Sequence, residues 1–192
     1  VVREAIRVGS ARITELAHDF LRPHLRPGDI AIDATAGNGH DTRFIAQCVG
    51  PTGVVFALDI QTIALERTAA LCAGFDTVHR IERSHADMKE AIPFEFHGRI
   101  AAVMFNFGYL PGGDKSIVTA TDSSVAAVRA AAALLRPGGC LTAIVYPGHP
   151  GGEAEAEAVE AALRELPFAW ECRSGVRADS PRLWMGRCSR PL

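Results

Sequence analysis

Ile30-Ala-Ile-Asp-Ala-Thr-Ala-Gly-Asn-Gly-His-Asp-Thr-Arg-Phe-Ile45 decides the fold: an apolar run breaks into small and polar residues before helical spacing resumes. The pattern predicts strand, tight loop and helix. Gly37 and Gly39 carry no Cβ, so the backbone there can turn sharply and approach a ligand closely. Asp33 falls at the strand's C-terminal end, the edge at which open α/β sheets bind ligands. Two kinds of nucleotide loop are unfavoured by residue identity. A phosphate-cradling P-loop ends in Gly-Lys-Ser/Thr, and no Lys lies between Asp33 and Thr42; the dinucleotide fingerprint needs a third glycine where Thr42 stands.

What remains is Asp-Ala-Thr-Ala-Gly-Asn-Gly, with an acid where the positive end of a sulfonium cofactor would lie, and it reads as the nucleotide loop of an S-adenosylmethionine enzyme. Downstream, Gly53-Val-Val-Phe-Ala-Leu-Asp-Ile60 is almost unbroken apolar sequence, as expected of an inner parallel strand covered on both faces. Asp59 lies about 20 residues beyond the loop glycines, the separation at which nucleotide-binding α/β folds place a ribose-binding carboxylate. The same acid could instead cap the helix expected at 62–72. Gln61 follows it, either to hydrogen-bond the cofactor or to remain solvated.

The remaining elements follow from punctuation and periodicity. Ile6, Ile13, Leu16, Ala17, Phe20 and Leu21 recur at nearly helical spacing and predict a helix over residues 1–25, ended by the turn Arg26-Pro-Gly-Asp29. Strands are expected at 29–35, 53–60, 77–82, 100–107, 140–146, 168–177 and 182–190, and helices at 40–48, 62–72, 121–135 and 153–166. Pro137-Gly-Gly139 is expected to stop the alanine-rich helix before the fifth strand.

Five segments together resemble the bacterial family labelled rRNA methylase, some of whose members methylate the 5-aminomethyl group on the wobble uridine of tRNA. They are Asp33 to Thr42, Leu58-Asp-Ile-Gln61, Ser84-His85, Asn106-Phe-Gly-Tyr-Leu-Pro-Gly-Gly-Asp-Lys-Ser116 and Tyr146-Pro-Gly-His149. The resemblance covers residues 28–152, and its most specific part is the block from Asn106 to Ser116. It implies a Rossmann-like α/β fold with a seven-stranded, mostly parallel sheet and an antiparallel last strand. It places Asp33, Gly37, Asn38, Gly39, Asp41, Asp59, Gln61, Ser84 and His85 at S-adenosylmethionine, with His85 against the adenine. Asn106-Phe-Gly-Tyr109 is built like the Asn-Pro-Pro-Tyr of amino methyltransferases, whose Asn oxygen accepts a hydrogen bond from the substrate amine while the aromatic ring packs on the base. Phe107-Gly108 replaces the prolines here. Asn106, Tyr109, Asp114 and His149 are therefore the catalytic candidates, the last three as routes for a proton to water.

Composition bounds the reading. A chain of 192 residues, 48% hydrophobic and 22% charged, suits one globular domain with one core, which the resemblance implies is a methyltransferase domain over residues 1–192. The apolar runs fall short of the roughly 18 residues of a membrane span, and the first ten residues are too polar for a signal peptide, so a cytoplasmic protein is expected. Cys48, Cys72, Cys140, Cys172 and Cys188 lack zinc or disulfide spacing, and no metal is expected. A formal net charge of −2 speaks against nonspecific coating of nucleic acid, while leaving room for a local patch that docks a tRNA anticodon stem-loop. Arg173, Arg177, Arg182, Arg187 and Arg190 form either such a patch or a solvated strand face. Methyl transfer to ribosomal RNA or to a small amine, cofactor binding without chemistry, and homodimerisation all remain open.

Overall fold

In the computed structural model, residues 2–5, 10–114, 118–148 and 150–189 are described. In chain order the elements are β1 (Val2–Ala5), α1 (Ser10–Leu21), β2 (Ile30–Asp33), α2 (His40–Val49), β3 (Val54–Asp59), α3 (Thr62–Leu71), β4 (Val78–Glu82) and α4 (Met88–Ala91). There follow β5 (Ile100–Phe107), α5 (Thr121–Leu134), β6 (Leu135–Val145), α6 (Gly152–Glu165), β7 (Phe168–Ser174) and β8 (Arg182–Cys188). One sheet contains all the strands, in the order β1-β7-β8-β6-β5-β2-β3-β4. Only β8 runs antiparallel to its neighbours. The seven strands expected from the sequence are β2 to β8, and the Rossmann-like methyltransferase fold is present.

Two expectations need correction. The N-terminal 25 residues are not one helix: Val2–Ala5 pair in parallel with β7 as an eighth strand, and the helix begins at Ser10. Pro137-Gly-Gly139 does not separate helix from strand. The helix ends at Leu134, and the three residues form an irregularity inside β6, where Leu135 pairs with Ile100 and Cys140 with Ala102. Gly138 has φ +74, and a Cβ on Gly139 would lie 2.9 Å from the Arg136 carbonyl, so the excursion depends on glycine.

The period of two in the strands sorts side chains to opposite faces. Ile30 and Ile32 of β2, Phe56 and Leu58 of β3, and Val103, Phe105 and Phe107 of β5 form one core with buried residues of α5 and α6. Ala31, Val55, Ala102 and Met104 form a second core with Ile13, Ala17 and Leu21 of α1 and Phe44, Ile45, Ala46 and Val49 of α2. Carrying the alternation one step further puts Asp33, Asp59 and Asn106 on the α1/α2 face, at the C-terminal ends of three adjacent strands. The chain leaves β2 for β3 across one face and reaches β5 across the other, so these ends flank the topological switch point, where such sheets open a crevice.

Candidate active site

The loop after β2 is fixed mainly by backbone groups. Ala34 N–H donates to the Met104 carbonyl at 2.9 Å and Ala36 N–H to that of Leu58 at 2.8 Å, tying the loop to β5 and β3. Gly37 (φ +52) and Gly39 (φ +82) take left-handed conformations that L side chains adopt only with strain. A Cβ on Gly39 would also stand 2.8 Å from the Thr68 Cα, so α3 packs directly against the start of α2.

Asp33 is completely buried and lines neither of the cavities described below. One carboxyl oxygen accepts from Thr35 N–H at 3.2 Å and the other from the Thr42 hydroxyl at 2.6 Å. Burial, and next the negative charge of Asp41, push its carboxyl up to about 7 against the lowering effect of these two donors, with Asp59 adding a smaller push. The sequence reading set this acid toward a ligand; here both its oxygens are occupied in clamping the loop to α2.

Asp59 bridges the loop and its own strand end. Gly37 N–H donates to Oδ2 and Gln61 N–H to Oδ1, each at 2.9 Å. Each carboxylate oxygen keeps a further lone pair, so capping and ligand binding are compatible. Asp41, in the first turn of α2 and 7% exposed, accepts from the Asn106 side-chain amide through Oδ2 and lies 2.6 Å from His18 Nε2 through Oδ1. Asn106 N–H donates to the Thr35 hydroxyl at 2.8 Å. With its NH2 group held by Asp41 and its N–H by Thr35, Asn106 has its amide oxygen left for a ligand.

Two adjoining cavities open at this point. The smaller, about 270 Å³, is lined by Asp59, Ile60, Gln61, Ser84 and His85 among others. The larger, about 720 Å³, is lined by Asn38, His40, Asp41, Phe107 and Tyr146 among others. Thr35, Gly37, Asn106, Gly108, Tyr109 and Pro111 belong to both walls, which puts Asn106 and Tyr109 at the junction. Both tyrosines of the chain line the larger cavity.

His85 is 9% exposed, its ring edge-on to Phe107 at 5.7 Å, and burial lowers its pKa to about 4 despite nearby Asp87. It is therefore neutral near pH 7. Its Nε2 has no partner among the described residues. Ser84 caps the following turn, its hydroxyl accepting from Ala86 N–H at 3.2 Å. Ile60, 55% exposed beside Asp59, offers an apolar surface suited to a flat ring. The negative charges of Asp59 and Asp41 suit a cationic ligand better than a pyrophosphate.

Of the thirteen residues the sequence singled out, Gly37, Asn38, Asp41, Asp59, Gln61, Ser84, His85, Asn106 and Tyr109 come together around the cavities. Asp33, Gly39 and Asp114 line neither, and Asp114 is exposed. His149 lies outside the described residues, as does Arg190. Arg173 pairs with Glu171, Arg177 with Asp179 and Arg182 with Glu153 and Glu160, while Arg187 donates to the Gly138 carbonyl. Three of these arginines are thus ion-paired within the chain.

Thr35, His18 and Arg67 were not foreseen. Arg67 of α3 donates to Asn38 Oδ1 at 3.0 Å and to the carbonyls of Pro111 and Gly112 at 3.3 and 3.2 Å, and Asn38 Nδ2 donates to the Pro111 carbonyl at 3.2 Å. Together they draw the loop after β5 across to the loop after β2. No helix among the described residues is long and apolar enough to cross a membrane, and they hold no cluster of metal-ligating side chains.

Comparison with known proteins gives a coherent set of relatives. The profile of the family described as "Putative rRNA methylase" matches residues 55–175. The chain is 41% identical to the chloroplastic tRNA (mnm(5)s(2)U34)-methyltransferase of Arabidopsis thaliana, over 85% of this chain and 64% of that protein; it thus spans less than two thirds of this relative's length. A crystal structure from Clostridium thermocellum carrying the family's description superposes with a TM-score of 0.85 at 33% identity, covering 95% of this chain and 99% of the other. A Streptococcus mutans protein described as "a putative methyltransferase", solved in complex with SAH, gives 0.80 at 30% identity, covering 92% and 97%.

Proposed function

The chain belongs to the rRNA methylase family, and on that premise we propose that it is an S-adenosylmethionine-dependent N-methyltransferase acting on the 5-aminomethyl group of the tRNA wobble (2-thio)uridine. The observation that carries this reading is Asn106 at the junction of the two cavities, its NH2 group engaged by Asp41 and its oxygen available. The smaller cavity suits the cofactor: Asp59 to accept from the ribose hydroxyls, Ile60 and neutral His85 to flank and read the adenine. The larger suits the substrate, with Tyr109 and Tyr146 as surfaces for a base.

When bound, S-adenosylmethionine would supply an electrophilic methyl carbon for the amine lone pair, with the thioether as the leaving group. The Asn106 oxygen accepts an N–H of the amine and so turns the lone pair away from itself. A primary alkylamine has a pKa of about 10 and is unreactive while protonated. Tyr109, on both cavity walls, is placed to exclude water and to hand the amine proton outward. Most of the rate comes from holding nitrogen and methyl within roughly 3–3.5 Å. The 41% identity to a tRNA wobble-uridine methyltransferase supports the substrate and a tRNA anticodon stem-loop as partner, and the whole acts as one methyltransferase domain in the cytoplasm.

The test is tRNA from cells lacking the modification, incubated with protein and cofactor, digested to nucleosides and weighed by mass spectrometry. A gain of one methyl on 5-aminomethyl-2-thiouridine is expected. If ribosomal RNA or a free amine is methylated and this nucleoside is not, the substrate assignment fails while the cofactor assignment stands.

A further inference from the structure

His18 belongs to α1, outside the loops that form the cleft, yet its ring reaches their hydrogen-bond network. Its Nε2 lies 2.6 Å from Asp41 Oδ1, while Asp41 Oδ2 accepts from the Asn106 amide. The ring stacks on Phe44 of α2 at a centroid distance of 3.9 Å and 8° between planes, with the Arg22 guanidinium also over Phe44. We infer that His18 and Asp41 are positioning residues for methyl transfer, fixing which way round the Asn106 amide stands. This rests on the amine-transfer reading above.

The physical argument is the near-symmetry of an amide. Turned by 180°, Asn106 would occupy the same space and present N–H donors where its oxygen had been, so hydrogen-bond partners alone decide the orientation. An ionised carboxylate only accepts, so Asp41 admits the NH2 group and repels the oxygen. The same property requires that His18 Nε2 carry the proton in its contact with Asp41. A carboxylate held at one oxygen can swing; held at both, between α1 and β5, it cannot. Phe44 keeps the imidazole in the plane that makes this contact. In the flipped state the amide would donate toward the amine nitrogen and compete for its lone pair.

Asn38 and Asn106 are the only asparagines in the chain, so protein labelled with ¹⁵N-asparagine shows two side-chain amide signals, one of them an internal control. The expected result is that His18→Leu moves the Asn106 amide signal, leaves that of Asn38 in place and lowers kcat on the aminomethyl substrate by about tenfold, with S-adenosylmethionine affinity unchanged. His18→Gln, whose side-chain N–H can take the place of Nε2–H, should recover most of both losses. Asp41→Asn, which admits either amide orientation, should lower kcat further. The inference is overturned if His18→Leu leaves the Asn106 signal and kcat at wild-type values, or if His18→Gln is as impaired as His18→Leu, which would reduce the ring to packing on Phe44. Should wild-type protein methylate no aminomethyl substrate, the functional reading fails, and the response of the Asn106 signal still decides whether His18 controls it.

Discussion

The two loops facing each other across the cleft, residues 34–39 after β2 and 108–114 after β5, are held by opposite means. The first is clamped from within: buried Asp33, half-buried Asp59 and the carbonyls of β3 and β5 take its N–H groups. The second is drawn toward it by Arg67 and Asn38 at Pro111 and Gly112, with the Gly108 carbonyl taking Thr119 N–H and buried Leu110 beneath. Arg67's bonds are exposed and compete with water, which those of the first loop do less. The first loop is thus expected to act as a preformed floor, and the second as the side that opens for ligand exchange.

At the seam between them the largest effect is expected. Asn106→Ala should bind S-adenosylmethionine nearly as wild type and lose methyl transfer by a factor of about 100 or more, since it removes orientation and charge stabilisation together. Wild-type turnover by this variant would remove the amine-orienting role whatever the substrate. Next comes the floor. Asp59→Ala removes charge-assisted bonds worth roughly 1.5–3 kcal/mol each, and with them the acceptor of Gly37 N–H, so calorimetry should find S-adenosylmethionine affinity lower by tenfold or more. Unchanged affinity in a folded variant would take Asp59 out of the cofactor site.

On the opening side the expected effect is smaller. Arg67→Ala deletes partly exposed bonds of about 0.5–1.5 kcal/mol each, so stopped-flow should show cofactor release faster by several-fold with kcat for chemistry in a single turnover retained. Slower release, or loss of chemistry, would contradict the assignment of this loop as the exit. The last effect is on stability and not on the cleft's chemistry, and it is one of pH. Asp33, at about 7 in the folded chain and near 3.8 unfolded, gives stability that is complete below pH 3.8 and lost as pH rises through 7. Between these two values the folded state holds the extra proton, so the penalty on folding grows by up to ~1.4 kcal/mol per pH unit from pH 3.8 to 7 and is constant above 7. Asp33→Asn should flatten the fall in melting temperature between pH 4 and 7 and leave the slope above pH 7.5 unchanged; an unchanged slope between pH 4 and 7 would mean that burial does not raise this carboxyl.

How much of this was legible in the sequence follows from contact distance along the chain. The glycine loop, Asp59 and the Asn106 block are local patterns: apolar runs ending in a polar residue at a strand terminus, which the sheet's alternation carries to one face. His18, 23 residues from Asp41, and Arg67, 44 from Pro111, act through side chains on helices whose packing no local pattern specifies. Asp41 was found, as part of the glycine block, but its partner Asn106 is 65 residues away, and its role changed from touching a cofactor to holding that amide. Asp33 is buried where the motif implies a ligand contact, because a motif marks a carboxylate's position and not its burial. The pairing of Val2–Ala5 with β7 was hidden by the helical spacing that follows it.

The division of the cleft is tested most directly by a crystal structure with S-adenosylhomocysteine bound. The account predicts the ribose hydroxyls on Asp59, the adenine between Ile60 and His85, and the sulfur turned toward Asn106, with the larger cavity left open. A ligand seated in the larger cavity against His40 and Tyr146, or a ribose that does not touch Asp59, would contradict it.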